Sequence, residues 1–381
     1  MSLPSSPSNP SSGNTQEDLP PTMVKQGGGG STGPGLVKRL LAARESSVVL
    51  VLFVICLFLF FAPEIGRLPW LRDHVDWLHV REQFFGPRNL QNLSLQIALL
   101  SIYAIGETIV IITGGIDLSL GSLIAFTGMV LAFAASRLDA SAPRFAIVGA
   151  IVIALAVALG IGSLHATLIH RLRLPPFVVT LGSLTILRSQ SLLMNGQLPI
   201  SISQFGFLTY LANGHINILG YAIPVPVILV VGISVVAHLI LTKTSIGRYV
   251  YSVGSNEQAT RLSGINVGHV KMFAYGTSAL LGGVAGIIFA GYGGQGDPLS
   301  GYGYELNAVA AAVIGGASLT GGQGSIAGTL LGVCLLNVIL TGINFTLTKP
   351  TLWEGTVVGG VLLLAVLTSA LQQRNQRNQK V

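Results

Sequence analysis

The stretch SIYAIGETIVIITGGIDLSLGSL, residues 101–123, decides how this chain folds. An apolar run holding one carboxylate, Glu107, is stopped by a glycine pair. Asp117 and Ser119 then open a second apolar run. Composition says where such runs reside. Half of the 381 residues are hydrophobic and 9% are charged, and the mean hydropathy is +0.69. A soluble domain carries about 25% charged residues, so this chain cannot cover a water-facing surface. Several apolar runs reach about 20 residues, enough to cross the hydrocarbon at about 1.5 Å per helical residue. Backbone groups in lipid must be paired internally, and the runs are too continuous for the alternating strands of a barrel. The fold class is all-α: a polytopic membrane protein.

Outward from this stretch the apolar pattern predicts about ten transmembrane helices, near 47–63, 91–112, 118–136, 145–169, 175–194, 222–242, 271–291, 304–319, 325–345 and 353–371. The third and eighth are interrupted by glycine. Residues 1–45 are rich in Ser, Pro, Gly and Asn. They cannot bury enough apolar surface to fold and read as a disordered cytoplasmic tail. This tail is too long and polar for the n-region of a secretory signal, so the run at 48–62 reads as a retained first span. The transmembrane domain covers 46–371, and 372–381 form a second tail.

The net charge of +7 would suggest nucleic acid in a soluble protein. Here the basic residues lie mostly in loops, no nucleic-acid partner is expected, and the charge reads as topology. With the N-terminus inside, Arg171, Arg173, Lys243, Arg248, Arg261, Lys271 and Arg374 all fall on the cytoplasmic side. The basic residues of the 64–88 loop are offset by Glu64, Asp73, Asp76 and Glu82. The positive-inside rule then puts both termini in the cytoplasm.

Asp117 has two compatible readings. It caps the second apolar run, or it marks a discontinuous helix beside a transport path, where irregular backbone lines a cavity. GGQGDPLSG at 293–301 carries a related Gly–Asp–Leu–Ser pattern on the opposite side of the membrane. An inverted internal repeat would produce this, and shared turn composition explains it about as well. Glu107 sits mid-span, where an ionisable group faces the bundle interior or water. Asn307, Asn337 and Asn344 recur on later spans and fit interhelical hydrogen bonds or a ligand path. Glu107, Asp117, Asn307, Asn337 and Asn344 are therefore the substrate-pathway candidates. Cys56 and Cys334 lie in apolar runs and read as packing residues. Of the seven histidines, those at 165, 170, 215, 238 and 269 are scattered and read as helix-end or loop residues. There is no metal-ligand spacing, no nucleophile elbow and no Gly-x-x-x-x-Gly-Lys-Ser/Thr loop, so neither catalysis nor a nucleotide site of its own is expected.

Between two apolar runs stands GSNEQATRLSGINV, 254–267, flanked by basic residues that place it in the cytoplasm. Gly254 and Gly264 bracket roughly two and a half helical turns. Asn256 is a plausible N-cap, and Glu257 suits the positive end of the helix dipole. Leu262, Ile265 and Ala259 form a narrow apolar edge, opposite Glu257, Gln258 and Arg261. The edge has no aromatic wedge for an interfacial anchor, so the segment reads as a docking helix for a cytoplasmic partner.

Together GGIDLSLGS (114–122), PPFVVTLG (175–182), VGSNEQATRLSGINV (253–267) and AAVIGGASLTGG (311–322) resemble the permease subunits of bacterial ABC importers for simple sugars of the ribose, xylose and arabinose type. The likeness runs from about residue 45 to residue 371. It implies a permease in the bacterial cytoplasmic (inner) membrane that moves a monosaccharide. Its implied partners are a second permease copy, identical or not, cytoplasmic ATPase subunits that bind the ATP, an extracytoplasmic sugar-binding protein, and membrane lipid. It implies no cofactor on this chain. By the resemblance, the docking helix is Gly254, Asn256, Glu257, Ala259, Arg261 and Gly264, the counterpart of the importer "EAA" loop. Gly264 falls one residue later than in the general importer pattern, and the Ile-x-Leu-Pro tail is absent. Glu107 also departs from the family, where an uncharged residue is expected. The alternatives are a nucleoside or branched-chain amino-acid permease of the same superfamily, and an ion-coupled secondary transporter, which would need buried carboxylates such as Glu107.

Overall fold

The computed structural model describes residues 44–66, 77, 79–138, 144–218, 220–347 and 349–378. The predicted disordered tail lies almost wholly outside them. Among the described residues the helices are α1 (Arg44–Gly66), α2 (Val80–Phe84), α3 (Pro87–Ile112), α4 (Leu120–Ala135), α5 (Arg144–Arg171), α6 (Pro176–Leu193), α7 (Gly206–Asn213), α8 (Val225–Lys243), α9 (Ser245–Ser255), α10 (Glu257–Leu262), α11 (Val267–Gly293), α12 (Tyr304–Ile314), α13 (Ile326–Thr346) and α14 (Pro350–Asn378). Among the described residues, strand is limited to two short antiparallel pairs. β1 (Ile200–Ser201) pairs with β4 (Gln295–Gly296), and β2 (His215–Ile218) forms a hairpin with β3 (Tyr221–Pro224).

The chain is mostly helical and multi-pass. Among the described residues, seven helices are long and apolar enough to span a membrane: α1, α3, α5, α8, α11, α13 and α14. The three other predicted spans differ for local reasons. α4 has 16 residues because the chain stays unwound until Leu120; Gly128 does not interrupt it. α12 has 11 residues, ending at Ile314 where Gly315 and Gly316 follow, Gly316 in the left-handed region. α6 has 18 residues but carries Arg188 and Gln190. α14 continues to Asn378, through most of the segment expected as a tail. Helix ends follow local chemistry. Proline stands in the first turn of α3, α6 and α8, where its missing N–H costs nothing. Asn256, Asn266 and Ser325 cap α10, α11 and α13 through their side chains.

Burial sorts the helices into a centre and a rim. The most apolar window of α3 is 83% buried and that of α11 is 67% buried, against 17% for α1 and 6% for α14. Hydrocarbon offers no hydrophobic drive between helices, so close association needs small side chains that bring backbones together. α11 supplies them. A Cβ on Gly106 of α3 would lie 2.8 Å from the Ser278 backbone of α11, and one on Gly283 of α11 would lie 2.8 Å from the Ala158 methyl of α5. The rim helices instead expose large apolar side chains such as Phe53, Ile153, Val231 and Leu363.

This packing sets a test. Gly106→Val drives a side chain into backbone and should destabilise the protein by about 1–3 kcal/mol. Gly149→Val, at a site with nothing within 4 Å, should stay near wild type. Thermal unfolding of both variants in detergent reads the difference.

Candidate functional site

The expected docking segment is not one helix bracketed by Gly254 and Gly264. Gly254 lies in the last turn of α9, and Asn256, extended at φ −162° and ψ 98°, breaks the chain before the six-residue α10. The Asn256 side chain accepts the Ala259 N–H at 2.9 Å, as an N-cap does. Gly264, at φ +81°, turns the chain out of α10, a conformation glycine adopts without strain. Ala259 and Arg261 are exposed, and Leu262 is 90% exposed.

Two connections root this tip. Glu257 accepts from Arg261 at 3.0 Å within α10 and from Lys271 of α11 at 2.9 Å. Burial works to raise the Glu257 carboxyl, but the Lys271 and Arg261 bonds and charges outweigh it and hold it below its ordinary value. On the inner side, Gly254 packs on the Ile112 carbonyl at the end of α3 and on the Gly322 N–H. Gly322 donates to that Ile112 carbonyl at 2.8 Å, and the Tyr251 hydroxyl donates to the Gly324 carbonyl at 2.9 Å. Three of the four sequence motifs, GGIDLSLGS, the docking segment and AAVIGGASLTGG, thus meet at one end of the bundle.

From this end the chain enters the bundle unwound. Among residues 113–119, the Asp117 N–H donates to Glu107 Oε1 at 3.2 Å. Asp117 Oδ1 accepts from the Ser119 N–H at 3.1 Å and from its hydroxyl at 2.6 Å, while Oδ2 accepts from the Ser278 hydroxyl of α11 at 3.2 Å. Asp117, three residues ahead of Leu120, therefore holds the N-cap residue Ser119 rather than being the cap itself, and also cross-links the segment to α11. Glu107 and Asp117 are both fully buried. His165, expected at a helix end or loop, is also buried in the bundle, its Nε2 2.7 Å from the Ser183 hydroxyl.

The three asparagines collect elsewhere. Asn307, Asn337 and Asn344 share a cleft of about 420 Å³ with Asn92 and Gln96 of α3, Tyr103, Phe289, Tyr292, Tyr304 and Glu354. Tyr103 and Tyr304 stack with centroids 5.9 Å apart and planes 3° from parallel. The Asn337 amide donates to Val333 within α13 at 3.0 Å. Of the five pathway candidates, the cleft joins these three and excludes Glu107 and Asp117.

Arg188 was not anticipated. It reaches from α6 to the second irregular segment, donating to the Pro298 carbonyl at 2.9 Å and the Ser300 carbonyl at 2.8 Å, with its guanidinium 5.8 Å from the Tyr302 ring. A lone arginine in an apolar span was the available signal. Tyr275 and Ser278 gave none, since only the fold brings them to Asp117.

The Glu257 tether predicts an acid limb. A carboxylate held below its ordinary value adds stability above the unfolded glutamate range, near about 4.3, and that stability is lost as pH falls through the depressed folded value. Because Glu257 is partly exposed, the expected size is about 1 kcal/mol or less. The hydrogen-exchange protection of α10, corrected for the intrinsic exchange rate at each pH, should fall on acidification in wild type and change little in Glu257→Gln.

Comparison with known proteins identifies relatives of the chain. Ribose import permease protein RbsC of Escherichia coli (strain K12) is 37% identical over 297 residues, 76% of this chain and 88% of that protein. RbsC of Bacillus subtilis (strain 168) is 37% identical over 287 residues, 74% and 85% of the two chains. D-allose transport system permease protein AlsC of Escherichia coli (strain K12) is 30% identical over 292 residues, 76% and 86%. No solved structure matches the chain. Residues 89–367 match the family described as branched-chain amino acid transport system / permease component, and the chain belongs to this family of transporter permeases, which are transport subunits and not enzymes.

Proposed function

We propose that this chain is the permease subunit of an ATP-driven importer that carries a monosaccharide, a pentose or related simple sugar, across the inner membrane. The observation that carries the reading is the convergence of Asn307, Asn337 and Asn344 with Asn92, Gln96 and a tyrosine pair in one cleft, in a chain whose relatives are named for ribose and allose. Sugar hydroxyls both donate and accept, and so does a side-chain amide. Aromatic walls with a few polar groups suit a small ligand. Of the other readings, neither a branched-chain side chain nor an ion-coupled carrier accounts for this amide-rich lining; a nucleoside would also suit it, but the relatives named for ribose and allose favour the sugar.

The same proposal assigns the partners. Cytoplasmic ATPase subunits, which hold the ATP, dock on α10. A second permease copy completes the pore, an extracytoplasmic binding protein delivers the sugar, and lipid covers the apolar rim. Both termini then lie in the cytoplasm. Closure of the ATPases would press on α10, pass through α9 to the end of α3 and the 315–325 loop, and shift the bundle between two access states. Differential contact of the ATPase with the two states supplies the drive.

The proposal also keeps ten membrane segments, the seven long helices with α4, α6 and α12, arranged as an inverted repeat. The support is local. Asp117-x-x-x-Gly121 and Asp297-x-x-x-Gly301 follow the two breaks, and their glycines pack against each other's backbone. α3 precedes one break and α11 the other.

Two tests follow. Glu257→Lys with Gly264→Pro should abolish sugar-stimulated ATPase activity while leaving the protein inserted; normal coupled uptake in that variant would refute docking at α10. Asn307→Leu and Asn344→Leu should each weaken uptake of a labelled pentose by about 1 kcal/mol, roughly five-fold, as expected for a lost neutral hydrogen bond. Leucine and inosine uptake, measured alongside, reads the alternatives.

A further inference from the structure

The cleft that gathers the asparagines also holds a charge that recognition of a neutral sugar does not require. Among the described residues its lining comprises five side-chain amides, three tyrosines, five apolar side chains and Glu354. No lysine, arginine or histidine is among them. Glu354 stands in the second turn of α14 and is half-buried. The described ion pairs join Glu257 to Arg261 and Lys271, Arg81 to Glu64, and His79 to Glu82, so none engages Glu354.

The other charged groups near this end of the bundle stay outside the cleft. Arg88, one turn before Asn92 on α3, is exposed, and so is Lys349, just ahead of α14. Arg188 is committed to the Pro298 and Ser300 carbonyls. Glu305 of α12 turns its carboxyl onto Gly121 of α4. Glu354 is thus the one charged side chain of the described lining.

Its chemistry differs from that of its neighbours. An amide or a phenol both donates and accepts, so it can meet a sugar hydroxyl in either sense, whereas a carboxylate only accepts. Glu354 can take a hydrogen bond from a hydroxyl or an ammonium. It faces a second carboxylate or a phosphate with no cation in the lining to compensate. The cleft walls are partly apolar, and a charge between such walls projects its field across the opening. Repulsion of the wrong ligand separates two substrates as well as attraction of the right one does.

We propose that Glu354 is a charge filter: the cleft accepts neutral and amine-bearing monosaccharides and rejects those that carry a carboxylate or a phosphate. The proposal rests on the reading of the cleft as the sugar path and narrows the substrate class within it. The position suits the task. The lining draws on the starts of α3, α12 and α14 and on the end of α11, away from the α10 tip. A sugar arriving from the side opposite the docking helices meets this charge before the unwound segment 113–119.

The test is ligand-observed saturation-transfer NMR on the full chain in lipid nanodiscs at neutral pH, with D-ribose, D-ribosamine and D-riburonic acid as probes. Wild type should hold ribosamine at least as firmly as ribose, and riburonic acid roughly five-fold more weakly, the size of a partly exposed charge interaction. Glu354→Gln keeps the length and one accepting oxygen but loses the charge, so the acid should rise to the level of ribose. Glu354→Lys should reverse the order of amine and acid. If the variants fail to insert, the wild-type ranking decides alone. Equal binding of amine and acid by wild type overturns the filter. So does a ranking unchanged in Glu354→Gln, which places the discrimination elsewhere, or an equal loss of all three probes, which makes the residue structural. If wild type holds none of the three, the sugar path falls and the filter with it. If it holds ribose without ranking the charged probes, the filter alone falls.

Discussion

Unwinding a helix inside hydrocarbon strands backbone groups that no water can satisfy, and everything functional here depends on how two such breaks are paired. In the first, the Asp117 N–H goes to Glu107, the Ser119 N–H to Asp117, the Ile116 carbonyl to Thr180 of α6 at 3.2 Å, and the Ile112 carbonyl to Gly322. In the second, Arg188 takes the Pro298 and Ser300 carbonyls, the Leu299 N–H goes to Asp297 at 2.9 Å, and the Gly294 carbonyl accepts from Ile202 at 2.8 Å. Each break is held by side chains from other helices. The breaks therefore exist only in the assembled bundle.

That dependence explains why so many polar and charged groups persist in so apolar a chain. Arg188 is expensive at membrane depth but provides donors in a fixed fork that one guanidinium can aim at two carbonyls. Lysine, a single point charge, would fit this geometry poorly. The small residues of α11 have the complementary role. They let the backbones of α3 and α5 come close enough for Ser278 to reach Asp117.

The site is split in two, and the division is physically reasonable. The amide-rich cleft is lined by α3, α11, α12, α13 and Glu354 of α14, at the other end of α3 from the docking helices. Between them lies the unwound segment.

Much of this was legible in the sequence. Composition and run length dictate a multi-pass helical bundle because hydrocarbon leaves the backbone no other choice. The Asn256 cap, the turn at Gly264 and the break after Gly114 are local events, governed by one or two residues and their immediate neighbours. Exact helix extents were less legible: α4 and α12 are short because the breaks on either side take their residues. The single helix expected between Gly254 and Gly264 became two, because an extended Asn256 two residues after a glycine packed on Ile112 is a tertiary outcome. Polar type alone could not separate Asn307, Asn337 and Asn344, which converge on a cleft, from Glu107 and Asp117, which do not. Nor could it find Tyr275, Ser278 or the hold of Arg188 on the second break. The sequence by itself determined that the chain crosses a membrane and where it bends, since these follow from solvation and local backbone preference. Only the tertiary structure decided which polar groups meet, since that depends on helices brought together by small residues far apart along the chain.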